Sequence, residues 1–390
     1  MIEIDTAAAT LDARCLDAPG GFAWWYAEVA TPEGDGIVLI WSFGLPFLPG
    51  SQRDARADAG TTPRQRPSLN VVAYRGGQQV CYVLREFSPD DAQWDVDASG
   101  ERWRFGRSTL QARPHRDGSN LLTLEASLDL DIAGGGGLRC AIHLEGKRAH
   151  WAAAPVGTAT DTGVVGGAAG EAMGHRWTPV VGASFATARL QCGPLRLAVS
   201  GRAYHDRNAS PRSLEALGIA RWLWGRAACA DRDRVFYALW PAEAGDPVVL
   251  GYELGADGTL TAIEDLALRR HAATRTRWGM PDWRAVDLVR PDGTIFLSLE
   301  QRHAVEDGPF YLRRMCDAAA TEAAPSHGTW EVIVPSRIDL GHFRPLVRMR
   351  VGRDQGDNSR WLPLFEGASG DRMRRLLRGS AHVTQGEHRP

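Results

Sequence analysis

The sequence of 390 residues contains a single lysine, Lys147, and no CxxC cysteine pair. Arginine supplies the rest of the positive charge, and the formal net charge is −2. A phosphate-binding surface needs a concentrated positive field, so this balance gives no reason to expect a nucleic-acid partner. The six cysteines are scattered, and we expect buried, reduced thiols.

Long hydrophobic runs are also lacking. The most apolar run, residues 36–49, is shorter than the roughly 20 residues that a transmembrane helix needs, and Gly44 and Pro46 interrupt it. The first residues lack the basic stretch and apolar core of a signal peptide. We therefore expect a cytoplasmic protein, which would meet a lipidic substrate in solution or by peripheral contact with a membrane.

The common signatures of metal and cofactor sites are missing as well. The metal-binding patterns HExxH and HxH, the phosphate-binding patterns GxGxxG and GxxxxGK[ST], and the nucleophile pattern GxSxG do not occur. Residues 134–137 are a plain glycine run without the strand-to-helix context of a nucleotide loop. We therefore expect a site that holds neither a metal nor a cofactor.

What the sequence does contain is a two-residue alternation of apolar and polar side chains, which is typical of strands with one buried face. Residues 124–131 alternate in this way without a break. The hairpin dipeptides Asp117-Gly118, Asp257-Gly258 and Asp292-Gly293 separate such runs. The first candidate strands are 24–30, 36–43, 69–75, 79–87, 102–111, 121–132, 138–151, 183–192 and 195–204. This pattern predicts an all-β chain of sandwiches or barrels with few short helices.

The length predicts two domains, because one ordinary core does not extend over 390 residues. A second set of strands begins near Arg221, so we place the boundary in the preceding turn region. The predicted division is an N-terminal β domain (1–212), a C-terminal β domain (213–355) and a tail (356–390). The glycine-rich segment 155–174 would be a loop of the first domain, where a lid would be expected. A boundary inside that segment is the alternative.

Two pairs of side chains in the middle of the chain suggest chemistry. His175 and Trp177 are two residues apart, as are Tyr204 and Asp206. Residues two apart on a strand point to the same face. If the two strands are neighbours, one wall carries a carboxyl, an imidazole, an indole and a phenol.

This set of side chains suits a reaction that begins with protonation of an alkene. The donor must be a carboxylic acid that burial keeps neutral. The resulting carbocation is stabilised by aromatic faces, by up to ~2 kcal/mol for each desolvated ring. Water or an internal double bond then captures the cation, and a histidine can return a proton or position the water. The alternative is that Asp206 caps a turn and that the other three side chains fill the core.

Several segments resemble one known family. The opening residues read GGFAWWYAEV (20–29), IVLIWSFGLPF (37–47) and PSLNVVAYRG (67–76). Later segments read AYHDRN (203–208), WLWGRA (222–227) and DGPFYLRRM (307–315). In this order they resemble the carotenoid 1,2-hydratase (hydroxyneurosporene synthase) family over most of the chain. The resemblance implies two tandem lipocalin-like β domains with a pocket at or near their junction.

The resemblance also implies roles for particular residues. Asp206 would be the proton donor, Trp177 and Tyr204 would stabilise the cation, and His175 would assist. Glu28, where the family commonly has aspartate, is a second candidate acid. Apart from the resemblance, the candidates for substrate-binding residues are Trp24, Trp25, Glu28, Trp222 and Trp224. The alternative for the four tryptophans is that they fill the core, with one of each pair lining the cavity. The candidates for orienting Asp206 by hydrogen bonds are Asn208 and Arg226.

The predicted function is therefore acid-initiated hydration or cyclisation of a hydrophobic isoprenoid, terpenoid or carotenoid polyene by a hydro-lyase or terpenoid cyclase without a cofactor. One alternative is a pericyclase, whose pocket only folds a linear polyene into a reactive shape. Another is a lipocalin-like carrier without activity. The sequence does not indicate the particular substrate, the stereochemistry or the oligomeric state.

Overall fold

The computed structural model describes residues 2–5, 14–50, 60–97, 99–133, 136–152, 162–164, 174–242, 245–320 and 323–368. The first twelve strands are β1 (Ile2–Asp5), β2 (Phe22–Ala30), β3 (Gly36–Phe43), β4 (Pro67–Arg75), β5 (Gln78–Glu86), β6 (Ala92–Asp97), β7 (Gly100–Phe105), β8 (Ser108–Pro114), β9 (Leu121–Asp131), β10 (Gly137–Lys147), β11 (His150–Trp151) and β12 (Thr162–Val164). The next twelve are β13 (His175–Cys192), β14 (Leu195–Ser210), β15 (Ile219–Ala228), β16 (Arg232–Pro241), β17 (Val248–Gly255), β18 (Thr259–Ile263), β19 (Ala267–Arg275), β20 (Pro281–Val289), β21 (Ile295–Asp307), β22 (Tyr311–Ala320), β23 (Ala323–Ile333) and β24 (Gly352–Arg353).

Helices are few and short among the described residues. The two α-helices are α1 (Arg14–Asp17) and α2 (Arg344–Arg348), and the 3-10 helices are Pro63–Gln65, Pro89–Asp91, Pro335–Arg337 and Leu362–Leu364. None of the helices in the described ranges is long and apolar enough to cross a membrane. The prediction of an all-β chain with two lipocalin-like halves and few short helices is confirmed.

The strands form two large sheets. The first sheet has the order β24-β5-β4-β3-β2-β14-β13-β10-β9-β8-β7-β6; in addition, β1 pairs with β13 and β12 pairs with β1. The second sheet has the order β11-β18-β17-β16-β15-β23-β22-β21-β20-β19. Most neighbours are consecutive antiparallel strands, which short turns can connect.

The chain passes from the first sheet to the second between Ser210 and Ile219. Two short strands lie in the opposite sheet from their neighbours in sequence. β11 pairs with β18 of the second sheet, and β24 pairs with β5 of the first. The division into domains 1–212 and 213–355 with a tail 356–390 stays a prediction, but residues 352–367 are not a free tail, because they contact the first sheet.

The strand predictions differ from the structure where a turn or a bend interrupts the alternation. Residues 102–111 form two strands, because Gly106, with φ +55°, makes the turn between β7 and β8. Residues 138–151 do not form one strand, because β10 ends at Lys147 and β11 joins the other sheet. β9 has the predicted alternation of buried and more exposed residues, and each of the three hairpin dipeptides joins an antiparallel pair.

Side-chain alternation divides the interior into three apolar clusters. Trp25 on β2 packs within the first sheet, whereas its neighbours Trp24 and Tyr26 point into the junction between the sheets. On β15, Leu223 packs within the second sheet and Trp224 points into the junction. Each sheet therefore curls around its own core, and the opposite faces of its central strands meet at a third cluster rich in aromatic rings.

Buried charges connect the two sheets at this junction. Glu28 of β2 accepts hydrogen bonds from Arg226 of β15, at 2.5 Å, and from Arg313 of β22. Arg226 also donates to Asp233 of β16 at 3.0 Å and to the backbone oxygen of Ala203 in β14 at 3.2 Å. Burial raises the pKa of Glu28, but the two guanidinium groups outweigh burial and hold it at about 2. Glu28 is therefore an anion that joins the sheets.

Two further predictions concern residues that lie wholly or partly outside the described ranges. The predicted lid, 155–174, is described only at Gly174 and in the short strand β12. Residues 369–390 of the predicted tail also lie outside the described residues. The six cysteines are all described, and each is a buried free thiol.

Replacing Glu28 should test the connection between the sheets. Glu28→Ala removes the carboxylate that Arg226 and Arg313 share, while Arg226 keeps Asp233 and Arg313 keeps Glu331. A buried charge left wholly unpaired costs about 3–5 kcal/mol, and the retained partners reduce this cost to about 1–3 kcal/mol. We expect the free energy of unfolding in urea to fall by this amount. Glu300→Ala, which removes a surface ion pair with Arg284, should change it by about 0–1 kcal/mol. Equal effects of the two replacements would contradict this account.

Candidate active site

Neighbouring strands bring the two predicted residue pairs together. β13 and β14 are antiparallel, with Trp177 opposite Asn208 and Pro179 opposite Asp206. β14 extends to Ser210, beyond the end at residue 204 that the alternation indicated, so Asp206 lies within a strand. Its carboxyl therefore points to the same face as Tyr204, into the junction between the sheets.

A β-bulge in β13 turns the first half of this strand toward the junction between the sheets. The register shifts between Val181 and Ser184, and Ala183 adopts a φ of +47°. The Ala183 N–H donates to Oδ2 of Asp233 in the second sheet at 2.7 Å. A Cβ at Gly182 would lie 2.4 Å from Leu254, so the close approach of the second sheet requires glycine there. The bulge explains why regular alternation begins only at residue 183.

The carboxyl of Asp206 is held by three neutral donors. The Trp177 indole N–H and the Tyr204 hydroxyl both donate to Oδ2, at 2.7 and 3.0 Å. The Asn208 amide donates to Oδ1 at 3.0 Å. Asp206 is 2% exposed and borders a cavity. Since two of the three donors use Oδ2, Oδ1 is the less occupied oxygen.

Burial is the main influence on the proton affinity of Asp206. It raises the pKa from the ordinary 3.8 to about 7, although the hydrogen bonds from Trp177 and Tyr204 lower it. The carboxylates Glu331 and Glu28 add to the rise. A carboxyl with such a pKa is substantially protonated near neutral pH, and its donors stabilise the anion once the proton has left.

His175 is connected to Asp206 through Asn208. Nε2 of His175 lies 2.8 Å from Oδ1 of Asn208, whose amide nitrogen bonds Asp206. Burial lowers the pKa of His175 to about 4, so the ring is neutral. Its Nδ1 has no hydrogen-bond partner among the described residues. The amide of Asn208 thus fixes the orientation of both its neighbours.

A cavity of about 180 Å³ lies between the two sheets in front of Asp206. Its polar side chains come from both sheets, and its aromatic walls come mainly from the junction cluster. The lining aromatic residues are Trp24, Tyr26, Phe47, Tyr82, Trp222, Trp224, Tyr237, Trp278, Phe310, Tyr311 and Phe365. Residues of α2 and the segment after it, including Leu346 and Met349, cover one side.

The structure separates the predicted aromatic residues into two groups. Trp24, Trp222 and Trp224 line the cavity. Trp25 points to the opposite face of β2, and its indole N–H donates to Glu101 at 3.2 Å. Trp177 and Tyr204 are also not on the cavity wall. They pack behind Asp206 and donate to it.

Two other candidates belong to the ionic connection rather than to the cavity wall. Glu28 does not line the large cavity, and its low pKa makes it a poor proton donor. Arg226 makes no hydrogen bond to Asp206. Its guanidinium carbon instead lies 5.1 Å from the centre of the Tyr204 ring, and its N–H groups bond Glu28, Asp233 and a backbone oxygen.

Sequence reasoning missed several polar residues on the cavity wall. Glu331, Glu306, Tyr237 and Tyr311 all line it. Tyr237 lies opposite Trp224 in the pairing of β15 with β16, and its hydroxyl is 3.4 Å from Oδ1 of Asn208. The alternation of β16 could have placed Tyr237 on one face. No local pattern distinguishes the two glutamates from ordinary surface carboxylates. In the described part of the chain, no three His, Cys, Asp or Glu residues cluster as a metal site would require.

A comparison with known protein families identifies the family of this chain. The family model for the carotenoid hydratase CrtC matches residues 159–360, just over half of the chain. The chain belongs to the carotenoid hydratase CrtC family. The predicted membership is thereby confirmed, and the matched residues include Asp206 and its three donors. CrtC membership supports a hydratase-like enzyme that acts on a hydrophobic substrate.

Individual relatives of this CrtC-family chain are distant. A Chlorobaculum tepidum protein named hydroxyneurosporene dehydrogenase is 23% identical over 324 residues, which cover 76% of this chain and 77% of the relative. Among solved structures, CghA with Sch210972 is 13% identical with a TM-score of 0.51, and the match covers 80% of this chain and 88% of CghA. At this identity the structural likeness bears on the fold alone.

The raised pKa of Asp206 predicts a dependence of stability on pH. The folded protein keeps this proton up to about pH 7, whereas the unfolded chain releases it near 3.8, so stability falls as the pH rises between these values. Asp206→Asn should remove this contribution, and its free energy of unfolding relative to wild type should rise by up to about 4 kcal/mol from pH 4 to pH 8. Urea unfolding at several pH values measures the difference. The exposed Asp95→Asn is the control, and parallel curves for the wild type and Asp206→Asn would refute the assignment.

Proposed function

We propose that this protein adds water across a double bond at the end of a long isoprenoid or carotenoid chain, with Asp206 as the proton donor. The observation that carries the proposal is the buried Asp206 carboxyl, which has only neutral hydrogen-bond donors and faces a cavity lined by aromatic rings. Membership of the CrtC family supports hydration as the outcome.

The surroundings of Asp206 suit a donor for a weak base such as an alkene. Burial keeps the carboxyl protonated near neutral pH. When the proton leaves, Trp177, Tyr204 and Asn208 already point their donors at the new carboxylate, so no reorganisation is needed. In this proposal, Trp177 and Tyr204 act on the acid, and His175 positions Asn208.

The cavity walls suit the cation that protonation creates. Trp24, Trp222 and Trp224 present aromatic rings to the space in front of Asp206. The negative face of each ring attracts a desolvated cation, by up to ~2 kcal/mol. These three tryptophans are the proposed stabilisers of the cation.

The cavity volume bears on which part of the substrate enters. A cavity of about 150 Å³ in another protein holds benzene. A space of about 180 Å³ therefore accommodates an end of a long isoprenoid rather than the whole molecule. A reaction at a terminal double bond fits this size.

Asp206→Asn in D2O tests the proton donor. The test substrate is lycopene, an acyclic carotenoid with a trisubstituted double bond at each end. We expect wild type to give an alcohol with deuterium on the neighbouring carbon, and the variant to lose at least about 100-fold in turnover while still binding lycopene. Mass spectrometry measures the product, and quenching of tryptophan fluorescence measures binding.

The other outcomes of this experiment identify the competing functions. A variant that keeps much of its rate, with no deuterium in the product, would indicate a pericyclase. Stoichiometric binding with no product from any polyene tested would indicate a carrier. Retained deuterium transfer by Asp206→Asn would remove Asp206 as the acid.

Trp224→Leu tests the stabilisation of the cation. Loss of a ring interaction worth ~2 kcal/mol should lower kcat about 30-fold, with little effect on lycopene binding because leucine keeps the apolar contact. Trp224→Phe keeps an aromatic face and should retain more of the rate than leucine does. Equal rates for the phenylalanine and leucine variants would show that the ring contributes only its volume.

A further inference from the structure

A second carboxyl borders the cavity from the opposite sheet. Glu331 lies on β23, where it pairs with Trp224 of β15 and with Arg313 of β22. Its neighbours in sequence, Trp330 and Val332, are fully buried in the core of the second sheet. Glu331 points the other way, and its side chain is 12% exposed at the cavity wall.

Glu331 is held differently from Asp206, because its closest partner is a cation. Nη1 of Arg313 donates to Oε1 of Glu331 at 2.6 Å, and the other amino group of Arg313 donates to Glu28. Tyr311 also hydrogen-bonds the Glu331 carboxyl. One guanidinium therefore connects the cavity wall to the ionic contact between the sheets.

Asp206 and Glu331 are both acids of raised pKa on the wall of one cavity. Burial raises the pKa of each to about 7. The negative charge of Glu331 adds to the rise at Asp206, whereas the carboxylates that raise the pKa of Glu331 are Glu28 and Glu306. Arg313 and Tyr311 act in the opposite direction on Glu331. The negative charge of an ionised Glu331 disfavours a second negative charge at Asp206 and so favours the protonated form of Asp206. The adjacent guanidinium favours the anion at Glu331, which leaves the proton at Asp206.

We propose that Glu331 is the proton acceptor of the reaction and that water enters between it and the cation. This inference rests on the proposed function. The Asp206 proton forms a C–H bond with one alkene carbon, and the π electrons leave a cation at the other. A water oxygen forms a C–O bond to that carbon, and the O–H bond that breaks gives its proton to Glu331. The sum is alkene plus water to alcohol, and the pair is restored when the proton passes from Glu331 to Asp206 through solvent.

The positions of Asp206 and Glu331 predict that removing each one should stop the reaction at a different step. Asp206 belongs to the first sheet and Glu331 to the second, with the cavity between them. Removing Asp206 prevents the cation from forming. Removing only Glu331 leaves protonation intact, and the Asp206 carboxylate can take a proton back and return the alkene.

Glu331→Gln in D2O with lycopene tests this difference. The glutamine carbonyl can still accept from Arg313, so the variant keeps that contact. We expect hydration to fall at least about 100-fold, whereas deuterium continues to enter recovered lycopene. Asp206→Asn should lose both hydration and the entry of deuterium into recovered lycopene. Glu253→Gln is the matched control, because Glu253 also accepts from an arginine, Arg234 at 2.8 Å, but lies outside the cavity, and it should keep both signals.

Tyr311→Phe gives a second measurement that keeps both carboxyls. It removes one hydrogen bond to Glu331, so we expect hydration to fall several-fold with deuterium exchange unchanged. If Glu331→Gln hydrates lycopene at the wild-type rate, or loses exchange together with hydration, Glu331 is not the acceptor. If instead Asp206→Asn keeps exchange, the proposed function itself fails, whatever Glu331 does.

Discussion

The ionic contact of Glu28 with Arg226 and Arg313 determines how the two sheets meet. Each of these two arginines of the second sheet also pairs with a carboxylate of its own sheet, Asp233 or Glu331, and Glu28 of the first sheet is the carboxylate that both share. Tyr26, whose hydroxyl donates to Glu28 at 2.5 Å, lines the aromatic cavity. Because Arg313 also contacts Glu331, the same network reaches the cavity wall.

Asp206 and Glu331, two of the four described carboxyl residues that line the cavity, have different partners in one environment. Both are buried deeply enough to hold a proton near neutral pH, so burial alone does not distinguish them. Their partners do, because Asp206 has an indole, a phenol and an amide, whereas Glu331 has a guanidinium and a phenol. Neutral donors stabilise an anion less than a full positive charge does. In the proposed reaction, these partners favour the proton at Asp206 and the anion at Glu331.

The sequence predicted those features of the fold and the site that depend only on alternation along a strand. Alternation predicted an all-β chain and placed Tyr204 with Asp206, and His175 with Trp177, on shared faces. It could not predict which residues of distant strands come together, such as Glu28 with Arg313, or that Asp206 and Glu331 line one cavity. It also could not show that Trp177 lies behind Asp206 instead of on the cavity wall. Residues that share a face of a strand can lie at different distances from the cavity.

The return of the chain to the first sheet has a consequence for biosynthesis. The outer edge of β5 pairs with β24 and, through Tyr82, with Gly367. These partners leave the ribosome some 280 positions after Tyr82 itself. Until then a nascent first sheet carries an unpaired edge on β5, the kind of edge that invites pairing with other chains. Tyr82 and Leu84 of that strand also border the cavity. The strand that supplies this part of the cavity wall therefore gains its outer neighbours late in translation, when both halves have already been made.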